Sequence, residues 1–158
     1  MSFRLGARSK RELNGVHPEL RHVVEIAISI SAVDFSVHDG LRTVAEQTRL
    51  VERGASRTMR SKHLKQASTG FGHAVDLVPF INGKMRWEWD PIYEIAEAMH
   101  RAATDYGVRL RWGGVWDRSF TRLDRQMLEW EVEQYGDRQR ARGRRVFTDG
   151  PHYEIKLS

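Results

Sequence analysis

The chain has 158 residues, 40% of them hydrophobic and 30% charged, which is the size and composition of a globular domain with a real core. It contains no cysteine, which excludes disulfides, thiol nucleophiles and cysteine-ligated zinc, so any metal must be held by His, Asp or Glu. The net charge of +5 and a pI near 9.9 call for an anionic partner, with nucleic acid, anionic lipid and cell-wall polymer as the classes that qualify.

MSFRLGARSKRELNG lacks an apolar signal-peptide core, so no secretory leader is expected. No run approaches the roughly 20 apolar residues of a membrane span. Pro18 suits the first turn of a helix, and Leu20, Val23, Val24, Ala27 and Ile30 form its core-facing stripe. DFSVHDG (34–40) reads as a short strand ending in a turn. Thr43-Val-Ala-Glu46 is a capping box; Val44, Thr48 and Val51 mark the face of the helix it opens, and Gly54 closes it.

HAVDLVPF (73–80) alternates like a strand and runs into the turn signal Asn82-Gly83. Asp90-Pro91 opens a helix with Ile92, Ile95, Ala96, Met99 and Ala103 on its apolar stripe and Gly107 at its end. VRLRW (108–112) and HYEIKL (152–157) read as strands. Residues 121–142 read as a charged helix with Leu123, Met127 and Trp130 on one side. No repeat or low-complexity linker divides the chain. The elements do not alternate as βαβ units, so the expected class is α+β, with helices packed on a small, mostly antiparallel sheet in a single domain over 1–158.

Seven histidines offer chemistry: His17, His22, His38, His63, His73, His100 and His152. His22 and His100 fall within helices, and His17 stands just before one; all three read as structural or exposed. Two places stand out. SKHLKQASTGFGHAVD (61–76) gathers His63, His73 and Asp76, and Asp76 interrupts an apolar run, where a carboxylate is costly unless paired or bound to metal. Asp149-Gly-Pro-His152 again couples a carboxylate to a histidine at the last strand. Two histidines and a carboxylate make a sensible zinc set with one position left for water, and a free carboxylate nearby can deprotonate that water. There is no HExxH helix, GxSxG elbow, P-loop or dinucleotide fingerprint.

Ser61-Lys62-His63 followed by Gly72-His73-Ala74-Val75-Asp76 resembles the SxHxxGxAxD motif of the M15 (VanY/VanX-like) zinc peptidases, and Asp149-Gly-Pro-His152 resembles their second element. Within that family the pattern is most similar to the phage endolysins that act as L-alanyl-D-glutamate peptidases, in ordered matches from MSFRLGARSKREL through HPELRHVVEIAI, DGLRT and AVDLVPFINGK to the end. The resemblance implies an M15-type (Hedgehog/DD-peptidase-like) fold. It also implies Zn2+ on His63, Asp76 and His152, Asp149 as general base, and Arg42 stabilising the oxyanion. His73 and Ser61 then lie at the site edge. The implied substrate is the peptidoglycan stem peptide, cut by a monomeric endolysin that is made in the host cytoplasm and reaches the wall by holin-type release.

Two departures from the family pattern stand out. His63 and Asp76 are thirteen positions apart. KQASTGF adds about six residues to the motif, a length that a loop tolerates at small entropic cost. This makes His73 a rival ligand; a regular strand would turn it away from Asp76, which favours His63. The segment 118–146 also reads as an inserted charged helix, and its run Arg138, Arg140, Arg142, Arg144 and Arg145 suits an anionic envelope polymer. The alternatives are a D-Ala-D-Ala carboxypeptidase or dipeptidase of the same fold, and a basic nucleic-acid-binding module. The latter lacks any recognisable motif, and no aromatics interleave the arginines, so no nucleic acid is expected.

Overall fold

The order of elements in the computed structural model, which describes residues 2–157, is α1 (Ala7–Leu13), α2 (Pro18–Ile30), β1 (Phe35–Asp39), α3 (Val44–Glu52), β2 (Ala74–Ile81), β3 (Lys84–Met85), α4 (Trp89–Tyr106), β4 (Leu110–Gly113), α5 (Leu128–Ala141) and β5 (Asp149–Ile155). The sheet runs β1-β2-β5-β4, with β3 added to β2, and every pairing is antiparallel. This is the mixed helix and antiparallel-sheet architecture that the pattern of elements implies.

Strand alternation decides which side of the sheet does what. Phe35 and Val37 of β1, Val75 and Leu77 of β2, Leu110 and Trp112 of β4, and Tyr153 and Ile155 of β5 join one hydrophobic cluster with the buried stripes of α2 and α4. The residues between them in sequence, including Asp76 in β2 and His152 and Glu154 in β5, turn to the other face. Leu20, Val23, Val24 and Ala27 of α2 are fully buried in this cluster, and burial of each larger side chain contributes about 1.5–3 kcal/mol. Gly107, in the left-handed conformation, ends α4, and Asn82-Gly83, both at positive φ, make the β2–β3 turn.

Several sequence expectations are corrected in detail. Nothing in the pattern announced α1, a short helix that packs against β1 and whose Ser9 hydroxyl accepts from Val37 N at 3.0 Å. In α2 it is Ile28, not Ile30, that is buried. The capping box of α3 forms as read, but its core-facing residue is Gln47, while Val44 is 65% exposed. Apolar spacing misled there because this helix faces a polar network.

The segment expected to be helical over 121–142 starts as two 3-10 turns, Phe120–Arg122 and Arg125–Met127, before α5 begins at Leu128. Asp124 makes the break: its side chain accepts from Gln126 N at 3.0 Å, and its own N–H donates to Glu131 at 2.9 Å. The helical phase therefore starts anew, so Met127 and Trp130 are exposed while Leu123, Leu128 and Tyr135 join the core. The last strand begins at Asp149, three residues before its expected start, so the whole DGPH element lies within it.

Candidate metal centre

Asp76 and His152 face each other in register across β2 and β5, and this pairing puts both side chains over the same spot on the open face of the sheet. His63 comes from the loop before β2. Its Nε2 lies 3.3 Å from Asp76 Oδ1, and His152 Nδ1 lies 3.1 Å from the same oxygen. One donor atom from each of His63, Asp76 and His152 falls within 4.8 Å of the others. His73 is not in this group. Its Nε2 is 2.6 Å from the Thr69 hydroxyl, and its ring packs edge-on against His17.

The long loop between the two halves of the motif is closed at its base. His73 N donates to Lys62 O at 2.8 Å, and Gln66 N donates to Phe71 O at 2.9 Å. Residues 64–72 thus leave and return at one point, with Gly70 at positive φ supplying the tight turn. His63 is pinned further: its carbonyl accepts from Arg42 N at 2.9 Å, and its N–H donates to Ser61 Oγ at 3.1 Å.

Outer hydrogen bonds fix which ring nitrogens face Asp76. His63 Nδ1 is 2.9 Å from the Gly40 carbonyl, so it carries the proton and leaves a lone pair on Nε2. His152 Nε2 is 2.9 Å from Glu154 Oε1, so it donates there and turns the Nδ1 lone pair toward Asp76. Three electron pairs converge, and such a set needs a cation or a proton. Donors about 2.0–2.2 Å from a tetrahedral Zn2+ stand roughly 3.4 Å apart, close to the spacing observed here.

The electrostatics agree with this geometry. Burial alone raises the Asp76 carboxyl, but hydrogen bonds to His152 and His63 overcome that and hold it well below the usual carboxylate range. Burial lowers His152, yet its bonds to Asp76 and Glu154 outweigh the loss and push it up to about 9.

Asp149 lies in the same cleft as the three donors, a space of about 1040 Å³ that Arg42, Arg145, Trp116 and Phe147 also line. In a regular strand Asp149 and His152, three apart, would face opposite ways. Here the pairing of β5 with β4 shifts, so that Trp112 and Gly113 oppose Tyr153 and Asp149, and residues 150–152 bulge. Gly113 is needed at this point, because a side chain would strike the Asp149 carbonyl. Desolvation raises the Asp149 carboxyl and the Asp76 charge raises it further, against smaller opposing effects of His152, His63 and Arg42.

Arg42 reaches the site from the turn after β1. Its Nε donates to Asp39 Oδ2 at 3.0 Å, a second Arg42 nitrogen also bonds that oxygen, and Nη1 donates to Gln47 Oε1 at 2.7 Å. Ser61 Oγ lies 3.5 Å from Nη1. Gln47 is fully buried and spends its amide nitrogen on Ser56 Oγ and Thr58 O. The sequence reading did not single out Gln47, Asp39, Glu154 or Trp116. Glu154 had the clearest signal, since an acidic residue alternates with Tyr153 and Ile155 two positions after a candidate ligand.

The arginine run is not one patch. Arg138 forms two hydrogen bonds of 2.8 Å with Asp117, Arg140 pairs with Asp137, and Arg145 lines the cleft. No helix among the described residues is long and apolar enough to cross a membrane.

Comparison with known proteins converges on one activity. Residues 1–156 match the family model described as phage L-alanyl-D-glutamate peptidase. The L-alanyl-D-glutamate peptidase of Escherichia phage T5 is 34% identical over 123 residues, which cover 75% of this chain and 85% of that protein. The crystal structure of the L-Ala D-Glu endopeptidase ChiX of Serratia marcescens matches with a TM-score of 0.70 at 35% identity, covering 98% of this chain and 91% of that one.

Proposed function

Since the chain belongs to the phage L-alanyl-D-glutamate peptidase family, we propose that it is a zinc-dependent endolysin that hydrolyses the L-alanyl-D-glutamate amide of peptidoglycan stem peptides. The observation that carries this reading is the convergence of His63 Nε2, Asp76 Oδ1 and His152 Nδ1 on one point beside Asp149. His63, Asp76 and His152 hold the metal. When bound, zinc polarises the scissile carbonyl and makes a water acidic enough to attack near neutral pH.

The remaining steps belong to side chains. Asp149, its carboxyl raised by burial and by the Asp76 charge, takes the proton from the attacking water and returns it to the leaving amine of D-glutamate. Arg42, held by Asp39 and Gln47, stabilises the negative charge that develops on the carbonyl oxygen. Ser61 keeps Arg42 and the His63 backbone in one arrangement. His73 lies outside the ligand set and shapes the edge of the neighbouring cleft.

Segment 118–146 is part of the catalytic unit, since Phe120, Leu123, Leu128 and Tyr135 enter the common core. Its exposed arginines Arg140, Arg142 and Arg144 are the part of the run open to an anionic envelope polymer. The protein acts as a monomer on the wall.

The test is digestion of purified peptidoglycan with mass spectrometry of the fragments, alongside metal analysis of the protein. New amino termini on glutamate, lost on chelation and restored by zinc, are expected. Release of free D-alanine would return the carboxypeptidase alternative, and cutting that survives complete chelation would end the metal mechanism.

A further inference from the structure

The metal-site cleft does not stop at the metal. A second cleft of about 530 Å³ adjoins it, and the two share four lining residues: Lys62, Arg111, Trp116 and Glu154. Arg118 and Lys156 line the second cleft farther on. Both acidic residues of this cleft are already hydrogen-bonded: Asp117 pairs with Arg138, and Glu154 pairs with His152 while its charge also faces Arg111 and Lys62. Lys62, Arg111, Arg118 and Lys156 form no ion pair among the described residues. A trough lined by four cations against two carboxylates, both already hydrogen-bonded, carries an excess of positive charge that calls for an anionic occupant.

The junction is the built part. Lys62 precedes the ligand-bearing His63 and is fixed through its carbonyl, which accepts from His73 N at 2.8 Å. Arg111 stands opposite Glu154 in the β4–β5 register. Its Nε donates to Trp116 O at 3.0 Å, and its guanidinium lies 5.1 Å from the centre of the Trp116 ring. That anchoring holds the planar group in place and leaves its two terminal nitrogens, the pair that grips a carboxylate in fork geometry, without a hydrogen-bond partner among the described residues.

The chemistry of the bond proposed above says where an anion must sit. Glutamate has two carboxyl groups. When its nitrogen is in the scissile amide and one carboxyl continues the peptide, the other stays free within a few bonds of the leaving amine. Resting on the peptidase reading, we propose that Lys62 and Arg111 form a carboxylate subsite for this free group of D-glutamate, and that the second cleft holds the peptide beyond it. The subsite makes the enzyme read the leaving-group side, and it sets the direction in which the substrate lies across the metal centre.

The test uses twin peptides containing L-Ala–D-Glu extended by one residue, one with the free glutamate carboxylate and one with its carboxamide. For the zinc-loaded wild type, kcat/KM is expected to favour the carboxylate roughly 10- to 100-fold, the scale of a charge-assisted contact. Lys62→Gln and Arg111→Gln should each shrink that preference severalfold or more at unchanged metal content, while the distant Arg101→Gln leaves it intact. Lys62 is exposed, so its variant keeps the test sharp should Arg111→Gln disturb Trp116.

Calorimetric binding of the amine-side product and its carboxamide twin reads the same preference without turnover. Equal handling of the twins by the wild type, or a preference untouched in both variants, overturns the subsite. Failure to cut either peptide while the calorimetric preference holds would overturn the peptidase reading and leave the carboxylate subsite standing.

Discussion

Two pairs of histidines meet edge to face in this molecule, and they have opposite characters. The rings of His63 and His152 are 5.2 Å apart, and those of His17 and His73 are 5.7 Å apart. Between the first pair stands the Asp76 carboxylate, whereas His73 has only the Thr69 hydroxyl. His152 is pushed up to about 9 by its carboxylates. His73 is lowered, by burial first and then by the nearby His17 and Lys62. The carboxylate between His63 and His152 supplies the negative charge that a cation site requires, and the hydroxyl beside His73 supplies none.

The largest effects should separate these pairs. His63→Ala, Asp76→Ala and His152→Ala should each abolish zinc retention and peptidoglycan cutting, measured by elemental analysis and fragment release. His73→Ala should keep its zinc. If His73→Ala loses the metal while His63→Ala retains it, the contrast is reversed and the ligand set is wrong. Next in size is Asp149→Asn, which keeps the ligands but removes the proton acceptor; turnover should fall about 10²- to 10⁴-fold with zinc content unchanged. Glu154→Ala removes the partner of His152 Nε2, and zinc affinity should weaken about 10- to 100-fold in a competition titration, with no such change in the His73 variants.

The fold class and most elements could be read from the sequence because alternation in the strands and the stripes of α2 and α4 follow directly from burial. Helix α3 escaped that logic, since its buried residue is Gln47, chosen to hold Arg42 rather than to fill the core. The break before α5 depends on a contact between Asp124 and Glu131 that apolar periodicity does not register. At the site, the residue types at 63, 76, 149 and 152 carried the signal. What the chain could not announce was geometry made by distant segments: the bulge that brings Asp149 beside His152, and the pin of Lys62 on His73 that returns His63 to Asp76.

Proton titrations sharpen the contrast further. His152 has a raised pKa in the metal-free fold, so its protonation stabilises that state fully below the ordinary value of 6.5, and this stabilisation is lost as pH rises through about 9. Zinc must displace that proton, so apparent zinc affinity should climb by up to about tenfold per pH unit on the way to 9 and then level off. A flat profile between pH 7 and 9 would mean that no proton sits on His152.

His73 runs the other way. Its lowered pKa favours the neutral form, so the stability it contributes is present above 6.5 and is lost as pH falls through its depressed folded value. Removing its hydroxyl partner tests the structural role directly. Thr69→Val leaves His73 Nε2 without its 2.6 Å partner, and should cost about 1 kcal/mol in urea unfolding while zinc affinity stays at the wild-type value. A loss of zinc affinity in that variant would show that the loop over 64–72 is coupled to the metal centre through His73. The two histidine pairs would then be one functional unit rather than two.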